Sequence, residues 1–461
     1  MENTKELSDK LFYEKKTVYQ KCDDNIINAA YDYSIDYMKY LDNSKTEREA
    51  VITTIAMAEA KGFHPYKLGD KISVGDKLYY NNRGKNLLLF TVGSEPINEG
   101  IRISAAHVDA PRIDLKQCPL YEEAGMSFFK THYYGGIRKY HWVAIPLALH
   151  GTIVLSDGSA VNIKIGEDEN DPLFYINDLL PHLGHEADKK PMGEAIEGEK
   201  LNILVGSRPL GNEANAIKLN VLKLLNEKYG IIEEDFLSAE LCAVPAYKAR
   251  DIGFDRSLIG SYGHDDRVCA YPAVTAMFDS MDTKHTLLCI LADKEETGSD
   301  GNTGMQSSVF VDLISELAKA LGGNENIVRS NSKCLSADVS AAYDPNFPEV
   351  FEKRNSSLLN CGVILTKFTG SRGKYGTNDA SAEFIGFMRQ VMAKDNIVWQ
   401  TGELGKVDAG GGGTVAKYIS KENIDVIDLG VPVISMHAPY EVISKVDLYE
   451  AYRAICAFYK Y

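Results

Sequence analysis

Downstream of about residue 285 the chain runs three times from an apolar strand through a turn into an amphipathic helix. HTLLCILAD precedes SSVFVDLISELAKAL, LNCGVILTKF precedes ASAEFIGFMRQVMAK, and IDVIDLGVPVISMH precedes KVDLYEAYRAICAFYK. A strand apolar along its whole length must be covered on both faces, and one-sided helices supply that cover. The order therefore predicts an α/β fold, a mixed, mostly parallel sheet sandwiched by helices. Upstream, KLYYNN, NLLLFTV and IRISAAHV read as short strands entering the same sheet, behind a helix over Ser44–Lys61 opened by a Ser and early carboxylates.

Between Leu115 and Val244 the texture changes. IPLALHGTIVLSDGSAVNIKIG has the pattern of a hairpin, and a polar Asp/Glu/His/Pro stretch follows from Glu167 to Lys200. With 461 residues the chain has length for two domains. Residues 115–244 are read as an inserted β-rich domain, and 1–114 with 245–461 as one discontinuous domain around it.

A formal net charge of -15, with no long Lys/Arg cluster, argues against nucleic acid or anionic membrane as partner and favours a small molecule or peptide. The eight cysteines are scattered without a C-x-x-C pair, the pattern of buried reduced thiols. The N-terminal MENTKELSDKLFYEKK lacks an apolar signal core. The apolar stretch His141 to Leu155 is interrupted by His150 and Gly151 and falls short of the ~20 residues a membrane span needs. A soluble cytoplasmic protein is expected.

Acidic and imidazole side chains follow the strand runs: His107 and Asp109 in IRISAAHVD, Glu295 and Glu296 in TLLCILADKEE, Asp338 in CLSAD and His437 in VISMH. The carboxyl ends of strands are where α/β sheets assemble ligand sites. Asp265 lies instead in a Gly-rich turn opening a helix, GSYGHDDRVCAYPAVTAMF. Nitrogen and oxygen ligands without thiolates suit a catalytic zinc site with an open position for water. Asp109, two residues after His107, is placed to accept the second imidazole N–H and fix the tautomer. Adjacent acids on an extended chain point to opposite sides, so one of Glu295 and Glu296 can ligate while the other faces the reacting water.

The segments SAAHVDAPR, GSYGHDDRVCA, DKEETGSDG, SADVSAAYDPN and VISMHAPYE resemble, in order and context, the metal-site motifs of the aspartyl aminopeptidase / aminopeptidase I family of zinc exopeptidases, and the resemblance runs over nearly the whole chain. It implies a zinc-exopeptidase fold and two zinc ions per subunit, with cobalt or manganese as substitutes. Asp265 would bridge the ions, His107 and Asp338 completing one site and Glu296 and His437 the other. Glu295 would be the general base for hydrolysis of the N-terminal residue from peptides. The bridge is the first acid of the DDR motif; Asp266 and His264 are its alternatives.

TKFTGSRGKYGTNDASAEF resembles the family stretch with a substrate-contacting lysine, here Lys374, which would favour acidic N-termini. DAGGGGTVAKY lacks the G-K-[ST] ending of a phosphate loop; its glycines, Gly411 among them, are read as backbone lining the pocket. INDLLPHLGHE resembles a region whose histidine reaches a neighbouring subunit's active site, His182 here with His185 as alternative. The resemblance further implies dimers assembling into a dodecamer, with the insert as dimerising lid. One departure stands out: THYYGGIRKYHWVAIP, with a lone Trp142, replaces the Trp-rich element of the acid-specific forms, which leaves a broad or neutral preference open.

No G-x-S-x-G elbow or G-x-G-x-x-G turn supports a serine hydrolase or nicotinamide enzyme. Two rivals remain: another dinuclear zinc hydrolase on this scaffold, a carboxypeptidase or deacylase, and a non-catalytic metal-bound assembly protein. Against the second stands Glu295, since a structural site needs no non-ligand base.

Overall fold

The computed structural model describes residues 3–280 and 283–461; Met1 and Glu2, which begin the charged N-terminal stretch, lie outside the described residues. Among those described, nine strands form the main sheet. Its four central strands, Thr286–Ala292, Ile101–His107, Lys333–Ala337 and Asp425–Gly430, lie side by side and run parallel, while Asn86–Thr91 and Val363–Thr366 flank them antiparallel. The sheet is mixed and mostly parallel at its centre, as the α/β reading expects.

Alternation along each strand feeds two cores. Leu287, Cys289 and Leu291 pack on one face with the helices His264–Asp279 and Lys445–Lys460, while Leu288, Ile290 and Ala292 pack on the other with Val309–Ala320. Every residue of Thr286–Ala292 and of Ile101–His107 is buried; past Thr286 the first run is apolar, while the second buries Arg102, Ser104 and His107 among its apolar residues. In register, Ala292 lies opposite His107, so both strands end at one edge of the sheet.

Two local readings change. The Glu47–Ala60 helix is capped by Thr46, not Ser44: the Thr46 hydroxyl accepts from the Glu49 amide at 3.2 Å and the Glu49 carboxylate accepts from the Thr46 amide at 3.2 Å. IDVIDLGVPVISMH is two strands, Asp425–Gly430 in the main sheet and Pro432–Ile434 in a separate five-stranded sheet. The break falls at Gly430, where an added Cβ would lie 1.9 Å from the Asp338 carbonyl oxygen, so only glycine lets the chain cross there.

Seven antiparallel strands, from Arg112–Glu123 to Ala239–Pro245, make the third sheet. Ala239–Pro245 pairs with both Arg112–Glu123 and Pro146–Val154, which closes the sheet on itself. The expected hairpin is Pro146–Val154 with Ala160–Ile165. Phe129, Trp142, Leu149, Ile203 and Phe236 form its own core, and a helix not anticipated from the sequence, Ala216–Tyr229, packs on it. All eight cysteines are free, but Cys118 is exposed and Cys22 and Cys456 are half-buried, so the expectation of uniformly buried thiols holds for the other five only. No helix among the described residues is long and apolar enough to cross a membrane.

A buried polar cluster ties this closed sheet to the body of the protein. Lys45, at the entrance to the Glu47–Ala60 helix, pairs with Glu167 at 2.7 Å and donates to the carbonyls of Pro245 and Tyr247. His150 of the hairpin lies between Glu49 at 2.8 Å and Glu167 at 3.0 Å. Burial opposes the imidazolium, but the hydrogen bonds and charges of Glu167 and Glu49 outweigh it and raise the His150 pKa. A raised folded-state pKa contributes stability that is complete below the ordinary value of about 6.5 and is lost as pH rises through the raised one. Denaturant titration of His150→Gln is expected to show a loss of roughly 3 kcal/mol near pH 6 that narrows toward alkaline pH; a deficit widening with pH would mean that His150 is neutral in the fold.

Candidate metal centre

Four segments at or beyond strand ends converge on Asp265, which sits at a helix start. His107 ends its strand with Nε2 3.1 Å from Asp265 Oδ1, and His437 brings its Nε2 to 3.2 Å from Asp265 Oδ2. Asp338, just beyond Lys333–Ala337, places Oδ1 3.9 Å from His107 Nε2, and Glu296 places Oε2 3.4 Å from His437 Nε2. Two ligand triads result, His107/Asp265/Asp338 and Asp265/Glu296/His437, each with its atoms within 4.8 Å of one another, and Asp265 belongs to both. Neither alternative bridge has this position. His264 bonds the Tyr37 hydroxyl and the Ile259 carbonyl, and Asp266 accepts from the His107 amide at 3.4 Å.

Glu295 and Glu296 sit on a single helical turn, Glu295–Thr297, entered through Lys294 with φ 65°. Both therefore face the site, instead of pointing to opposite sides as on an extended strand. The Glu296 side chain is 3% exposed; that of Glu295, 18% exposed and 4.0 Å from His107 Nε2, is the more open.

Two buried carboxylates hold this arrangement without belonging to either triad. Asp109 lies 3.2 Å from His107 Nδ1 and accepts from the Tyr134 hydroxyl at 2.8 Å and from the amides of Glu295 and Glu296 at 3.1 and 3.2 Å. It thus orients the imidazole and anchors the turn that carries both glutamates. Glu441, which the sequence reading missed, accepts from the amides of His437 at 2.7 Å and Asp265 at 3.1 Å. That grip holds His437 at φ 66°, a left-handed conformation costly for a side chain with a Cβ. Opposite, His437 Nδ1 donates to the Gly136 carbonyl at 2.8 Å, so the closed sheet's strand end completes the setting of this ligand.

The charge balance calls for cations. Asp265, Glu295, Glu296 and Asp338 crowd against two imidazoles, and Glu296 Oε1 is buried with no partner among the described residues. Burial and neighbouring carboxylates push Glu295 up to about 7 and raise Glu296 and Asp338 well above the usual carboxylate range. Burial opposes the imidazolium of His437, yet Asp265 and Glu296 push it up to about 10. Carboxylates forced toward protonation, an orphan oxygen and an all-nitrogen-and-oxygen donor set fit a pair of zinc ions.

The triads open into a cavity of about 450 Å³ whose far wall includes Gly411, Gly412, Thr414 and Lys417. Gly411 has φ 115°, and a Cβ there would lie 2.5 Å from Ser371 Cα, so glycine alone lets the wall close. Lys374 is not at this wall: its ammonium is 2.9 Å from Asp379 and stands 3.9 Å over the Phe368 ring. The half-buried Lys417 is at the wall, and no carboxylate among the described residues lies within ion-pairing distance of it. Its position in the quoted GGGGTVAKY segment was the only signal the sequence offered. His182 and His185 are exposed on the closed sheet's polar segment, away from this subunit's own cavity.

Residues 40–459 match the family described as aminopeptidase I zinc metalloprotease (M18). A probable M18 family aminopeptidase 1 from Clostridium acetobutylicum is 48% identical over 458 residues, covering 97% of this chain and 98% of its own. The crystal structure of an M18 family aminopeptidase from Thermotoga maritima superposes with a TM-score of 0.93 at 41% identity, covering 97% of this chain and all of that one. The mApe1 dodecamer of S. cerevisiae has a TM-score of 0.76 at 19% identity over 94% of this chain and 97% of that one, a likeness of fold alone. With two triads able to hold metal ions and a family match over nearly its whole length, this chain belongs to the aminopeptidase I zinc metalloprotease (M18) family.

Proposed function

We propose that the chain hydrolyses the N-terminal residue from peptides at a two-zinc centre, with Asp265 as the shared ligand and Glu295 as general base. The observation that carries this reading is the single carboxylate of Asp265 set between two imidazoles, at 3.1 and 3.2 Å. His107 and Asp338 would hold one ion and Glu296 and His437 the other. Bound there, the metals would polarise the scissile carbonyl and lower the pKa of water from 15.7 toward ~7. Glu295, more open than Glu296 and facing the cavity, accepts the proton from the attacking water and delivers it to the leaving amine. Asp109 keeps the His107 tautomer, and the cluster's carboxylates attract the substrate's α-ammonium, which is what makes the enzyme an aminopeptidase rather than a carboxypeptidase or deacylase.

We propose further that acidic N-terminal residues are preferred. Support comes from Lys417, a cation in the cavity wall without a carboxylate partner among the described residues. Lys374, held by Asp379, acts at one remove by fixing the turn beside Gly376 and Thr369, which line the same cavity. Residues 115–244 serve in this reading as a lid and dimerising domain, with His182 reaching a neighbouring subunit's cavity in an assembly like the yeast dodecamer. Eight free thiols support a cytoplasmic enzyme.

Glu295→Gln is expected to keep its fold and two zinc ions per chain by metal analysis while kcat falls by about 10²- to 10⁴-fold; normal turnover would remove Glu295 from the mechanism. For selectivity, Lys417→Met is expected to lower kcat/KM on Asp- and Glu-initiated peptides by about tenfold or more relative to Leu-initiated ones. Equal effects on all three would leave the acidic preference without support, and a larger selective loss in Lys374→Ala would return the contact to that residue.

A further inference from the structure

A second cavity, of about 610 Å³, opens across His437 from the first and shares Gly136, Met436 and His437 with it. One wall is the segment carrying Arg138 and Tyr140; the other is the loop carrying Phe347, Val350 and Phe351. Phe347 is 57%, Val350 45% and Tyr140 40% exposed, an apolar patch at the mouth of a cavity that touches a metal ligand. Exposed apolar surface converging on a reaction centre marks a ligand site. Apart from His437, the second cavity contains no member of the two triads, whereas Asp265, Glu296 and Asp338, together with Glu295, line the first.

This asymmetry gives a bound peptide its direction. The second cavity's own acids, Asp344 and Glu349, share its lining with Arg138, whereas Asp265, Glu295, Glu296 and Asp338 crowd together in the first, so an α-ammonium is drawn to the first and the N-terminal side chain lodges there. The scissile carbonyl then lies at the two triads, and the rest of the chain can continue past His437 into the second cavity, which shares Gly136, Met436 and His437 with the first. We propose that the second cavity holds the peptide beyond the scissile bond and selects an apolar or aromatic side chain at the second position from the N-terminus, gripped between Tyr140 and Phe347. The proposal rests on the aminopeptidase reading but not on the acidic preference. Arg138, whose guanidinium has only the Met192 sulfur at 3.9 Å as partner among the described residues, stands free to donate to the peptide's carbonyls.

The test uses the zinc-loaded enzyme on tetrapeptides with Asp or Leu first and Phe, Ala or Asp second, alongside the corresponding amino-acid amides, which have no second residue. Phe second is expected to give the highest kcat/KM. Phe347→Ala and Tyr140→Ala should each reduce that advantage about tenfold, mainly through KM, and leave the amides unchanged. Equal losses on amides and tetrapeptides, or no preference at the second position in the unaltered enzyme, would overturn the proposal. So would a change of assembly size in Phe347→Ala, which would assign the patch to a contact with a second copy of the chain. If the unaltered enzyme cleaved neither tetrapeptides nor amides, the aminopeptidase reading itself would fall and take the proposal with it.

Discussion

Everything at the centre of this protein is arranged around one carboxylate, Asp265, which faces an imidazole through each of its oxygens. Burying such a group would be prohibitive without compensating charge. The surrounding structure brings two histidines from different sheets to it, while two further buried acids, Asp109 and Glu441, act chiefly on backbone amides and on imidazole orientation. The fold thus concentrates carboxylates where, in water, they would repel each other apart. The connectivity of the sheets supplies the force that opposes this, and bound cations would relieve the remainder.

The sheet was the most legible part of the chain, because its central strands are covered on both faces and are mainly apolar, with Arg102, Ser104, Ser336 and Asp428 as buried exceptions. KLYYNN and KVDLYEAYRAICAFYK coincide with the observed Lys77–Asn82 and Lys445–Lys460. What could not be read depends on contacts distant in sequence. Nothing local in IDVIDLGVPVISMH says that the chain changes sheets at Gly430; the reason is the Asp338 carbonyl, just beyond the strand Lys333–Ala337, pressed against it. The Thr46 cap was hidden by the neighbouring Ser44, which offers the same chemistry two residues earlier.

The site shows the same division. Residues able to bind metal announced themselves by type and by position after strands, and the fold gathers all of them. Their supports did not. Glu441 stands four residues after His437 like any solvated glutamate, and its role is visible only once its two amide donors are in place. The cation of the cavity wall was equally hidden. Lys374 and Lys417 both follow glycine-rich turns, and what distinguishes them is Asp379, which engages the first, while the second has no carboxylate within ion-pairing distance among the described residues.

The closed sheet is more than an appendage to this arrangement. Its first strand begins at Arg112, five residues after His107, and its second ends at Tyr134, whose hydroxyl bonds Asp109; two residues on, the Gly136 carbonyl bonds His437. A hairpin leaving the sheet edge beside His107 therefore returns to brace members of both triads, His107 through Asp109 and His437 directly. Anything that rotated the closed sheet would strain the Tyr134 and Gly136 contacts together. The Lys45, Glu49, His150 and Glu167 cluster, which locks the same sheet to the Glu47–Ala60 helix, guards against that rotation as well. Rigidity at that cluster and precision at the two triads are in this way two ends of one mechanical connection.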